Sequence, residues 1–120
     1  MSLPDSGPYE IEKYRNKIEI IRLTADQIIK DFGLFGMEVS FSGDIINAYD
    51  ELFVQLNSCL IGLLNSDYQK LLSLLYHIDV SEKELNKKLS GGQEATAGII
   101  AEMILEREFK KVIYRKFYKG

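Results

Sequence analysis

Apolar residues recur at alternating spacings of three and four along this chain, and that pattern constrains its fold more than any other feature. One stretch runs Ile11, Tyr14, Ile18, Ile21, Ala25, Ile28, Phe32; a second runs Ile45, Tyr49, Leu52, Leu56, Cys59, Leu63. On an α-helix such positions line one stripe, and the stripe must be covered. A third, less regular set is Ile99, Ile100, Met103, Ile104, Phe109, Val112, Ile113 and Phe117. The expected fold class is therefore all-α, with amphipathic helices packed on one another.

Local signals divide the chain. Pro8 suits the first position of a helix, so helix 1 is expected to run from there to about Phe32 and to stop at Gly33. Its outer face alternates acids and bases, as on a solvated surface. Helix 2 is expected from about Asp44, capped by Ser42 or Asp44, to Asn65, with Ile46, Phe53, Leu60 and Leu64 as a second apolar stripe. Helix 3 follows Ser66-Asp67 and breaks at Asp79-Val80-Ser81. Ser81-Glu82-Lys83-Glu84 has capping-box form and opens a short helical piece to about Leu89. Ser90-Gly91-Gly92 reads as a turn, and helix 4 spans Gln93 to Tyr118. These pieces predict a four-helix bundle, up-and-down or related, with a broken third helix.

The connector between helices 1 and 2 is unusually apolar. Phe35, Met37, Val39 and Phe41 alternate with Gly36, Glu38, Ser40 and Ser42, a period of two that signals extended backbone. A lone strand cannot satisfy its own hydrogen bonds, and no second strand is evident. Two readings stand. The connector plugs one end of the bundle with its side chains, or it pairs with the same segment of a second subunit, making Phe35, Met37, Val39 and Phe41 a candidate interface.

At 120 residues the chain is expected to form one domain over 1–120, with a flexible lead at 1–7. Net charge is −3, too small to imply a strongly charged partner by itself. Cys59 is the only cysteine and lies on the second stripe, where it reads as a small buried hydrophobe in a reducing compartment. The N-terminus lacks a basic segment followed by an apolar run. The longest strongly apolar run, Cys59 to Leu64, falls far short of the ~20 residues that span a bilayer. A cytoplasmic protein without a transmembrane segment is expected.

Candidate chemistry is sparse. Leu89-Ser90-Gly91-Gly92-Gln93 resembles the signature pentapeptide of ABC-transporter ATPases, a segment that opens a helix and touches ATP phosphate in that family. The likeness covers five of 120 residues, and no phosphate-cradling Walker A pattern accompanies it, so a glycine turn explains it. His77 is the only histidine and lies beside Tyr76 and near Asp79. One His and one Cys cannot make a zinc site, and the paired Glu-x-x-His motifs of a di-iron bundle are missing, so no metal and no cofactor is expected. Tyr76, His77 and Asp79 could form a polar binding point, or His77 could simply finish a helix. Carboxylates pair at Asp50-Glu51 and at Glu102, Glu106 and Glu108; Glu102 and Glu106 share a helix face and, with Lys110, read as an exposed ion-pair ladder. From Glu106 onward the chain carries +4 against −7 elsewhere. Lys110, Lys111, Arg115, Lys116 and Lys119, interleaved with Tyr114, Phe117 and Tyr118, are candidate contacts to nucleic acid or an anionic surface.

With no catalytic constellation, the residues favour a non-enzymatic protein-interaction module that self-associates, as a homodimer at its simplest, because the connector and helix 2 hold more apolar surface than a small bundle needs. The alternatives are an anion or nucleic-acid binder through the basic helix, and a small-molecule-binding bundle with its polar point near His77.

Overall fold

The computed structural model describes residues 8–89 and 93–118, with side chains over 16–89 and 96–118. The sequence expectations for residues 1–7, Ser90-Gly91-Gly92 and Lys119 lie outside the described residues, as do the side chains of Ile11 and Tyr14. All regular structure described is helical: α1 (Pro8–Leu34), α2 (Ala48–Ser66), α3 (Tyr68–Ile78), α4 (Glu82–Lys88) and α5 (Gln93–Phe117). The core joins Ile28 and Phe32 of α1, Leu52, Leu56 and Leu60 of α2, Leu71, Leu74 and Ile78 of α3, and Ile100 and Ile104 of α5. Ile18 is half-buried, and the stripe deepens toward Ala25, Ile28 and Phe32, which are sealed from solvent.

The helix ends have identifiable causes. Gly33 does not stop α1; the chain turns at Gly36, whose φ of +79° only glycine adopts without cost. Gly36 N–H donates to Gly33 O and Met37 N–H to Phe32 O, which is a Schellman closure with Phe32 in the core and Met37 packed against it. Helix α3 closes the same way, with Asp79 in the left-handed region (φ 71°) and Val80 N–H donating to Leu75 O. At the start of α4, Ser81 Oγ accepts from Glu84 N–H, as the capping-box spacing predicts.

Helix α2 begins at Ala48, later than Asp44. Asp44 Oδ1 accepts from the N–H groups of Ile46 and Asn47, so it closes a turn before the helix and not the helix itself. Ser42 is drawn away to Glu51, its N–H donating to Oε2 and its Oγ to Oε1.

The connector finds its missing hydrogen-bond partners on α2. The Gln55 amide accepts from Ser40 N–H (2.9 Å) and donates to Ser40 O (2.8 Å), the pairing that a neighbouring strand's peptide would supply. Its alternation is realised within this chain: Val39 is buried, Phe35, Met37 and Phe41 pack against the core, and Gly36, Glu38, Ser40 and Ser42 face solvent.

These contacts also set direction. Ser40 meets Gln55 and Ser42 meets Glu51, so the connector runs back along α2. Asp31 meets Lys111 and Gln27 meets Arg115, making α1 antiparallel to α5. Gly98 faces Phe53 while Tyr49 lies by Glu102, making α2 antiparallel to α5 as well. Helices α1 and α2 therefore point the same way, an order that a simple up-and-down arrangement does not contain. The long apolar connector is what permits it, because it spans the return journey in extended form.

Candidate functional site

Two features stand out, a buried polar cluster and an open apolar cleft. The cluster joins α1, α3 and α5. Asp31 is 2% exposed and Glu108 fully enclosed. Asp31 Oδ1 accepts from Gln27 Nε2 at 3.0 Å and lies 3.2 Å from His77 Nε2. Lys111 Nζ stands 2.7 Å from Glu108 Oε1 and 3.8 Å from Asp31 Oδ2. Apart from Lys111, no side chain outside the pair offers a donor to Asp31 Oδ2 or to either Glu108 oxygen.

A proton held by Glu108 accounts for this. Burial, followed by the hydrogen bond to Asp31, pushes the Glu108 carboxyl up to about 8 against the opposing pull of Lys111. Near neutral pH Glu108 is then a neutral acid that donates to Asp31. Burial alone would raise Asp31, but Glu108, Gln27, Lys111 and His77 together outweigh it and hold Asp31 below its ordinary range. One carboxyl is neutral and the other is ionised beside a cation, which is how two acids can share a closed site. His77, its side chain 42% exposed, closes the outer end with its ring edge against Phe35.

Sequence reasoning places a polar point at Tyr76, His77 and Asp79, and the three do not converge. Tyr76 points to solvent, 89% exposed. Asp79 turns the other way and accepts from Arg107 Nη2 at 2.8 Å. Only His77 meets the polar cluster, through Asp31; sequence reasoning does not single out Asp31 and reads Glu108 only as one of the paired carboxylates of helix 4. A signal for them exists. Asp31 lies between Ile28 and Phe32 on the first stripe, and Glu108 falls between Ile104 and Val112 on another, so each acid occupies a core position of a long helix.

The cleft lies where α1, the start of α2 and α5 diverge. It encloses about 620 Å³ and is lined by Ile21, Ile45, Tyr49, Leu52, Ile99 and Phe109, with Glu102 and Glu106 at its edge. Ile46 stands at its mouth, 91% exposed, and Phe109 is 42% exposed. Tyr49 stacks on Phe53 at 6.1 Å. Burial raises the Tyr49 phenol, and the carboxylates of Glu102 and Asp50 raise it further.

The remaining candidates are dispersed. Lys111 belongs to the buried cluster, Arg115 donates to Gln27 Oε1 at 2.7 Å, and Lys116 pairs with Glu19 at 2.6 Å. Lys110 is exposed, 3.8 Å from Glu106. The cations of α5 thus reach toward α1 at several points instead of forming one free strip. Phe35, Met37, Val39 and Phe41 are turned into the chain's own core. Cys59 is half-buried, and burial pushes its thiol up, away from the thiolate form that reacts.

Among the described residues, no group of three or more His, Cys, Asp or Glu side chains is arranged to hold a metal ion, and no helix is long and apolar enough to cross a membrane. No protein-family model, curated protein or solved structure matches the chain significantly.

Proposed function

We propose that this protein is a non-enzymatic interaction module, built as a variant four-helix bundle with α4 as a side bracket, acting in the cytoplasm. Its docking site is the cleft between α1, α2 and α5, and its occupant is an apolar helical face of a partner polypeptide carrying cations at its border. The observation that carries this reading is the open apolar trough with Ile46, Tyr49 and Phe109 exposed around it. Apolar surface gathered in one concave place, edged by charge, is what partner chains cover. Two lining acids, Glu102 and Glu106, outnumber the single lining cation, Lys88, and favour a partner with basic flanks. The polar cluster supports the reading from the other side. Its charges are consumed in joining α1, α3 and α5, so it acts as a lock that holds the cleft walls in position.

A photoreactive residue tests the proposal. With p-benzoylphenylalanine in place of Ile46, crosslinks to polypeptide are expected inside the cell, and Phe109→Asp should abolish them while leaving helical dichroism unchanged. Crosslinks to small molecules alone, or none, would refute it.

A further inference from the structure

The exposed face of α5 carries its own complement. Glu102, Glu106, Phe109, Lys110, Tyr114 and Phe117 are all exposed. At 100° per residue they fall within one arc of the helix. The N-terminal part of this strip is acidic and borders the cleft; the C-terminal part is aromatic and basic. Within one chain, Lys110 and Glu106 are both well exposed and only loosely paired at 3.8 Å, so each remains free to engage another surface.

From this we infer that the cleft's occupant is a second copy of this chain, docked with α5 antiparallel to α5 across a two-fold axis near residue 108. The inference rests on the reading of the cleft as a polypeptide-docking site. In a two-fold interface residue i meets j and j meets i. Antiparallel α5 helices in this register set Glu106 of each copy against Lys110 of the other. Tyr114 comes opposite Glu102, and Phe117 comes opposite Ile99, so both aromatic rings lie over the partner cleft. A parallel arrangement would set carboxylates on carboxylates and leave the aromatic side chains away from the clefts. Charge pattern and apolar trough therefore select the same geometry.

Sedimentation at micromolar concentration, with charge reversal, tests this. The parent should be a dimer. Lys110→Glu and Glu106→Lys, each checked for unchanged dichroism, should each weaken self-association by roughly tenfold or more, because each homodimer then contains two like-charged pairs. Mixing the two variants should restore a dimer, because the mixed pair sets Glu106 against Lys110 on one side and the reversed pair on the other. A monomeric parent, or no recovery on mixing, would overturn the inference. Polypeptide crosslinks from position 46 in a protein that is monomeric when purified would overturn this dimer and leave the docking role of the cleft intact.

Discussion

Replacing Glu108 by Gln isolates the proton that the buried cluster holds. In the unfolded chain this carboxyl titrates near 4.5, and in the folded chain near 8. Between those values the folded state binds the proton and the unfolded state does not. Stability from this group is therefore fully present below the unfolded pKa and is lost as pH rises toward the folded one. The slope is at most roughly 1.4 kcal/mol per pH unit, so the loss over the whole window is on the order of a few kcal/mol. Asp31 acts in the opposite sense: its lowered pKa gives stability above its unfolded value of 3.8, lost as pH falls through the folded value. Glu108→Gln keeps the shape, removes the titration, and replaces the carboxyl O–H with an amide N–H as the donor to Asp31. Urea denaturation at pH 5, 6, 7, 8 and 9 reads the effect. The parent midpoint should fall across this series, the variant midpoint should fall much less, and the curves should cross so that the variant is the more stable by pH 9. A parent midpoint that is flat from pH 5 to 8, or a variant with the parent's slope, would refute the protonated pair.

Four further outcomes follow from the packing. Gln55→Ala removes both bonds to the Ser40 peptide and should cost about 1–2 kcal/mol, with faster amide exchange at Ser40 as the direct readout. Phe32→Ala empties a fully buried site where the α1 closure meets the core and should cost about 3–5 kcal/mol in a denaturation experiment. Ser81→Ala removes the α4 cap and should cost about 1 kcal/mol. Asp79→Val forces a β-branched residue into the left-handed region, so the melting temperature should fall, whereas Asp79→Gly, which loses the same exposed Arg107 contact but accepts that φ, should leave it nearly unchanged.

Helix existence and most of the boundaries were legible in the residues because they depend on neighbours a few positions away. The three-and-four spacing marked the faces later occupied by Ile28, Phe32, Leu52 and Leu56. Asp79-Val80-Ser81 marked the break after α3, and the cap chemistry of Ser81 marked the start of α4. Where the local reading failed, a competing partner was the cause. Glu51 claimed Ser42, and Asp44 spent its carboxylate on a turn, so α2 starts later than the cap pattern implies. The stripe of α5 included Phe109 and Phe117, yet both are exposed, because the core side of that helix follows Ala97, Ala101, Ile104, Glu108 and Val112.

By itself the sequence determined a helical chain with an extended apolar connector, since period and capping act within a few residues. Only the tertiary structure decided that α1 and α2 run the same way, that Gln55 serves as the connector's missing strand, and that Asp31, His77, Glu108 and Lys111 meet. Those residues lie as far as 80 positions apart in the chain. Whether such a charge is buried and which proton it keeps depend on what packs around it in space, and no local pattern carries that information.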